Sequence, residues 1–252
     1  MPFRAPDTLP PPPTDLLTGA SLFLDFDGTL VEIAPTPDGV AIDRALRSTL
    51  ERLSLILDGR VALISGRGAG YLRDLIAPAA LTIAGSHGAE IHWADGRIEA
   101  PCPPATLTHA RAAMAEFAAR HPGVLVECKP LGVALHFRQA PAAESACRDL
   151  ARALANDSGL LLQPGKMLFE LRVSGADKGT ALTTLAVSPA MAGSRPIFLG
   201  DDETDEPAFA AANALGGAGV LVGSMRATNA RYRLADVAAA RLWLDQACRQ
   251  PA

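Results

Sequence analysis

Short runs of apolar residues, each ending in a polar tip, recur along this chain and set its plan. Leu22-Phe23-Leu24 runs into Asp25-Phe26-Asp27-Gly28-Thr29-Leu30, Val61 to Ile64 into Ser65-Gly66-Arg67, and Leu81 to Ala84 into Gly85-Ser86-His87-Gly88-Ala89-Glu90. Continuous apolar runs of this length predict strands buried on both faces. Between the first two, Ile42, Leu46, Leu50, Leu53 and Leu57 recur at helical spacing and Gly59 closes the helix. A short helix is predicted around Tyr71 to Ile76. Ile33 to Val40, with Pro35 and Pro37, reads as a loop.

The pattern then changes. Ile91 to Ile98 reads as a hairpin around Asp95-Gly96, and Pro101, Pro103 and Pro104 make a break. A helix through Leu107 to Ala118, strands at Val124–Lys129 and Val133–Arg138, a helix from about residue 142 to 156 and strands at Leu160–Gln163 and Met167–Val173 predict an α+β unit with an antiparallel sheet. From Ser174 the first texture returns. A helix opens at Asp177-Lys178, Pro196 to Leu199 is a strand ending in Gly200-Asp201-Asp202-Glu203-Thr204-Asp205-Glu206, and a helix spans about 207 to 213. Gly219 to Val222 reads as the last core strand, with a closing helix over Val237 to Cys248. The fold class expected is α/β, a doubly wound, mostly parallel sheet with a Rossmann-like core, carrying an inserted α+β cap domain. Residues 1–15, rich in proline, are expected to be an extended or disordered lead-in, 16–90 and 174–252 the core, and 91–173 the cap.

Composition narrows the function. The chain has 252 residues, 49% of them hydrophobic, and a formal net charge of −4. No basic surface for nucleic acid is implied. No apolar stretch is long enough for a membrane span and no leader pattern opens the chain, so a cytoplasmic protein is expected, with a monomer favoured. Cys102, Cys128, Cys147 and Cys248 show no C-x-x-C spacing, so neither a disulfide framework nor a zinc site is encoded. Positive charge is drawn from 20 Arg against three Lys, at 129, 166 and 178. A lysine that persists under such a bias is a candidate for work a guanidinium cannot do, such as placing a compact charge on one oxygen.

In an open α/β sheet, ligands sit beyond the carboxyl ends of the strands. Asp25, Asp27, Ser65, Arg67, His87 and the cluster at 201–205 all fall there. Asp25 and Asp27, two apart, form either a solvated turn or a buried pair that needs a cation. The second acidic cluster fits a helix N-terminus as well as a metal site. Taken together, carboxylates at the ends of two strands of one sheet suit Mg²⁺ better than Zn²⁺.

These residues resemble the motifs of the haloacid dehalogenase-like phosphatases: Asp25-Phe26-Asp27-Gly28-Thr29-Leu30 the first, Ser65 the second, Lys178 the third and Gly200-Asp201-Asp202 the fourth. Ile64 to Arg67, Gly85 to Glu90, Glu127-x-Lys129, His136-x-Arg138, Lys166 to Leu171 and Gly200 to Glu206 are most similar to trehalose-6-phosphate phosphatases. The resemblance covers the chain from residue 21 onward. It implies hydrolysis of a sugar phosphate, trehalose 6-phosphate, through an aspartyl phosphate with Mg²⁺ as cofactor. Asp25 would be the nucleophile and Asp27 the general acid and base. Ser65 and Lys178 would hold the phosphoryl oxygens. Asp25, the backbone carbonyl of Asp27, and Asp201 would hold the metal, with Asp202 or Asp205 ordering its waters. Glu127, Lys129, Arg138, Lys166 and Glu170 match the family's sugar-gripping positions, joined by Arg67 and by His87 beside the cleft. His136 fits a packed strand position equally well. The alternatives in view are a phosphatase for sucrose 6-phosphate or mannosyl-3-phosphoglycerate, or a catalytically silent sugar-phosphate sensor.

Overall fold

The computed structural model describes residues 8–34, 36 and 39–249. Pro35 and Pro37 of the predicted loop, and the first seven residues of the lead-in, lie outside them. Contacts divide the chain into two compact units, Met1–Glu99 with Asp177–Ala252, and Ala100–Ala176.

The first unit opens with β1 (Ala20–Leu24), α1 (Arg44–Ile56), β2 (Val61–Ile64), α2 (Ala69–Ile76), β3 (Thr82–Gly85), β4 (Glu90–His92) and β5 (Ile98–Glu99). The second unit follows as α3 (Ala105–Ala119), β6 (Leu125–Lys129), β7 (Gly132–His136), α4 (Glu144–Ser158), β8 (Leu161–Gly165) and β9 (Leu168–Arg172). The chain then completes the first unit with α5 (Lys178–Ala186), β10 (Arg195–Gly200), α6 (Glu206–Ala214), β11 (Ala218–Val222), β12 (Tyr232–Leu234) and α7 (Val237–Ala247).

The strands of the first unit form one sheet in the order β12-β11-β10-β1-β2-β3-β4-β5. Alternation along each strand divides its side chains between two apolar layers. Leu22 and Leu24 pack with Leu63, Ile197 and Leu199 beneath α1, α2 and α7. Phe23 and Phe198 face the other way, into α5 and α6. Each fully buried Leu or Phe contributes about 1.5–3 kcal/mol relative to exposure. That is why the central strands read as unbroken apolar runs. Helix α1 starts where Asp43 Oδ1 accepts the Leu46 N–H at 2.8 Å, and it buries Leu46, Leu50 and Leu53.

Strand β1 has β2 on one side and β10 on the other, all parallel. The chain winds outward from β1 through β2 and β3, then returns to the far side for β10. The order therefore reverses at β1 and β10, and the crevice beyond their carboxyl ends is the topological switch point.

Three readings are revised. The hairpin at 91–98 belongs to the first unit, because β4 pairs antiparallel with β3 and β5 with β4, extending the core sheet. The boundary therefore falls near residue 99, not 90. Gly219–Val222 is not the last core strand: β12 lies parallel beside β11. It is a three-residue edge strand with Arg233 at its centre, and so lacks the apolar run that marks the others. The described part of the lead-in is held in place: Arg233 N–H donates to the Pro10 carbonyl at 3.0 Å and the Trp243 indole N–H to that of Pro12 at 3.1 Å.

In the second unit, an antiparallel sheet in the order β6-β7-β9-β8 packs Val133, Leu135, Phe169 and Leu171 against Met114, Phe117, Cys147 and Ala151 of α3 and α4. Residues of the opposite parity form a polar face. Among the described residues, no helix is long and apolar enough to cross a membrane.

Candidate active site

Asp25 is the first residue beyond β1. Its backbone N–H donates to the Leu199 carbonyl of β10 at 2.9 Å, so the ladder that builds the sheet also fixes the carboxylate at the switch point. Lys178, at the start of α5, brings its Nζ to 2.7 Å from Asp25 Oδ1 and 2.7 Å from Asp205 Oδ1. All three side chains are buried. Asp205 has no exposed surface. Its Oδ2 accepts the backbone N–H groups of Asp201 and Asp202, both at 2.9 Å, and so shapes the turn after β10.

One carboxylate oxygen each from Asp25, Asp201 and Asp205 lie within 4.8 Å of one another. Burial is the largest influence on how Asp25 and Lys178 titrate, and the neighbouring charges come next. Burial pushes the Asp25 carboxyl well above the usual range; Lys178 draws it back, and Asp205 and Asp201 push it further up. For Lys178, burial opposes the charge, but Asp205 and Asp25 outweigh it and hold the ammonium above its ordinary value. The group is chemically suited to a hard divalent cation. Gly28 permits it: at φ +81°, a Cβ there would lie 2.2 Å from Asp201 Oδ2.

Asp202 stands apart from this group. Its Oδ1 accepts the Glu203 N–H at 2.8 Å and starts the short turn of 3-10 helix before α6. Of the two residues considered for ordering metal waters, Asp205 is therefore the one at the cluster.

Asp27 pairs with Arg67, expected above as a sugar ligand. Arg67 Nε lies 2.6 Å from Asp27 Oδ2 and a terminal nitrogen donates to Oδ1 at 2.8 Å. The guanidinium also lies over the Tyr71 ring, 5.2 Å from its centroid. Ser65, almost fully buried after β2, accepts the Arg67 backbone N–H on its Oγ at 3.2 Å.

His87 is buried in the loop after β3, where Ser86, His87 and Gly88 all have positive φ, at 50°, 59° and 98°. For the two non-glycine residues that conformation costs of order 1 kcal/mol each. The His87 ring sits over Gly66, where a Cβ would lie 2.6 Å from Nε2. Gly88 abuts α5, the helix that carries Lys178: a Cβ there would lie 2.5 Å from the Ala181 Cβ.

On the polar face of the second unit, Glu127, Ala134, Glu170 and Gln163 form one row across the sheet, and Lys129, Gly132, Arg172 and Leu161 the next. Lys129 Nζ donates to Glu170 Oε2 at 2.6 Å, both buried. His136 Nε2 is 2.9 Å from Glu127 Oε2, and Arg172 Nε donates to Gln163 Oε1 at 2.6 Å. His136 is thus on the polar face. Burial opposes ionisation of Glu127, but the His136 hydrogen bond and the Lys129 charge outweigh it, and its carboxyl is held below the usual range. Arg138 and Lys166 lie beyond the strand ends, joined by a bond from the Arg138 guanidinium to the Lys166 carbonyl at 3.1 Å. Gln163 and Arg172 share this polar face without having been singled out in the sequence. The signal for Arg172 was parity, since it lies two residues after Glu170 on the same strand.

A doubly wound core with an α+β unit inserted after β5 is the plan of the haloacid dehalogenase-like phosphatases, and the carboxylates at its switch point are that class's hallmark. The trehalose-phosphatase family model matches residues 23–238, so the chain belongs to that family. It is 41% identical to a probable trehalose-phosphate phosphatase of Sinorhizobium fredii over 83% of this chain and 80% of the relative. It is 38% identical to a trehalose-6-phosphate phosphatase of Escherichia coli over 88% of this chain and 84% of that protein. A crystal structure of a trehalose-6-phosphate phosphatase related protein superposes with a TM-score of 0.74 at 27% identity, covering 89% of this chain and 95% of that one.

Proposed function

We propose that this chain is a phosphatase that hydrolyses trehalose 6-phosphate to trehalose and phosphate, with Mg²⁺ as cofactor and Asp25 as the phosphoryl carrier. The observation that carries the mechanism is the buried Asp25 at the switch point, 2.7 Å from Lys178 and grouped with Asp201. The relatives named above supply the substrate.

Asp25 and Asp201, with the backbone carbonyl of Asp27, would hold the ion, a donor set entirely of oxygens, with Asp205 ordering its waters. When bound, Mg²⁺ offsets the charge that otherwise repels an anionic substrate from an anionic nucleophile. The Asp25 carboxylate attacks phosphorus as the bond from phosphorus to the sugar oxygen breaks, and the departing oxygen takes a proton from Asp27. Water then attacks the phosphorus of the acyl phosphate and gives a proton to Asp27, releasing phosphate and restoring Asp25. Ser65 and Lys178 bind the phosphoryl oxygens. Arg67 orients Asp27: one of the hydrogen bonds between them is open while Asp27 carries the proton, and the two-pronged pair closes once the proton has passed to the sugar oxygen. Glu127, Lys129, Arg138, Lys166 and Glu170 bind the sugar, and His87 lies beside the phosphoryl site.

Phosphate release measured across trehalose 6-phosphate, sucrose 6-phosphate, mannosyl-3-phosphoglycerate and glucose 6-phosphate tests this reading. A strong preference for trehalose 6-phosphate is expected; equal rates on all four would overturn the substrate.

A further inference from the structure

We propose that Glu90 is a positioning residue for the reaction, its carboxylate fastening the loop that carries Ser65 and Arg67 to the left-handed loop at Ser86 and His87. The proposal deepens the phosphatase reading above and rests on it for its kinetic consequences.

Glu90 opens β4 and is 4% exposed. None of the chemistry described above uses it. Its Oε1 accepts two hydrogen bonds, from the Ala69 backbone N–H at 3.1 Å and from the Ser86 hydroxyl at 2.9 Å. Its Oε2 faces His92 Nε2 at 3.7 Å. Ala69 begins α2, two residues after Arg67, while Ser86 begins the neighbouring loop. A single oxygen atom therefore ties the two loops together.

The backbone completes the tie. Ser86 N–H donates to the Arg67 carbonyl and His87 N–H to the Ser65 carbonyl, both at 2.8 Å. Ser86 and His87 make those bonds at positive φ, a conformation that non-glycine residues hold only when their surroundings enforce it. The Glu90 link to the Ser86 side chain supplies that enforcement. On the other side, the same oxygen satisfies one of the N–H groups left open at the start of α2. The loop so fastened carries Ser65, whose hydroxyl accepts the Arg67 N–H, and Arg67, whose guanidinium holds Asp27. Glu90 thus acts on the reacting groups through the loop, without touching them.

The role assigned to Glu90 is that of a hydrogen-bond acceptor, so a glutamine should substitute and an alanine should not. With trehalose 6-phosphate and Mg²⁺, Glu90→Ala is expected to lower kcat about 10–100-fold, the size expected of a small misplacement of catalytic groups. KM should move less than about threefold, since Glu127, Lys129, Arg138, Lys166 and Glu170, assigned to the sugar, belong to the other compact unit and are not part of this link. Glu90→Gln should restore most of kcat. Ser86→Ala, which breaks one of the two bonds and leaves the α2 anchor, should lower kcat in the same direction and guards against misfolding of the alanine variant at 90. Amide hydrogen exchange at Ser86 and His87 should accelerate in Glu90→Ala and Ser86→Ala but not in Glu90→Gln. Wild-type kcat in both alanine variants, or a glutamine variant as impaired as alanine, would overturn the proposal. So would unchanged exchange in the alanine variants. Because exchange needs no substrate, an inert wild-type enzyme with the expected exchange pattern would contradict the phosphatase reading and support the link.

Discussion

Arg67 grips both carboxylate oxygens of Asp27, at 2.6 and 2.8 Å, so the two residues at neighbouring strand ends act as one unit. A planar guanidinium fork fixes the plane of the carboxylate it binds. The proton transfer proposed for Asp27 needs that orientation most when the leaving group is a poor one. Arg67→Ala should therefore lower kcat for trehalose 6-phosphate about 10–100-fold, while turnover of p-nitrophenyl phosphate, whose phenolate departs unaided, changes far less. Equal losses on both esters would contradict the pairing's role.

Gly28 approaches Asp201 so closely that any side chain intrudes: a Cβ would lie 2.2 Å from Oδ2, and φ is +81°. Gly28→Ala should displace Asp201 and weaken Mg²⁺ binding about 10–100-fold by calorimetry. It should also cost about 1–3 kcal/mol of stability through the backbone. Unchanged Mg²⁺ affinity would remove Asp201 from the metal site.

Lys178 neutralises two buried carboxylates at once. Lys178→Met should leave Asp205 uncompensated and cost about 3–5 kcal/mol in urea denaturation of the metal-free protein. The double variant with Asp205→Asn should recover part of that loss. A single variant as stable as wild type would show that the ion pairs do not support the fold.

The depressed carboxyl of Glu127 gives a pH signature. Its folded value lies below the unfolded one, so its contribution is complete above the ordinary glutamate range and is lost as pH falls through the folded value. Wild type should exceed Glu127→Gln in urea midpoint at neutral pH, and the gap should close below about pH 4. A gap that widens on acidification would reverse the assigned sign.

The strands of the core and the helices around them are legible because burial on both faces leaves continuous apolar runs, as at Leu22 to Leu24 and Val61 to Ile64. Strand β12 is not, because an edge strand centred on Arg233 carries no such run. Of the three lysines that the scarcity singled out, Lys129 and Lys178 are buried in ion pairs and Lys166 is exposed at the turn between β8 and β9. Pairings such as Arg67 with Asp27 and Glu90 with Ser86 depend on which loops the sheet order makes neighbours. Spacing along the chain does not encode them. Asp202 illustrates the same limit, since next to Asp201 in sequence it turns instead to cap the following turn.

The proposed phosphoryl carrier is Asp25. The most direct measurement is rapid acid quenching of the wild-type enzyme during turnover of trehalose 6-phosphate with Mg²⁺, followed by peptide mapping of the trapped phosphoryl group. A single acid-stable phosphoryl group is expected on the peptide containing Asp25, and none in Asp25→Asn, which should show no turnover. Mg²⁺-dependent hydrolysis retained by Asp25→Asn, or a phosphoryl group trapped on another residue, would contradict it.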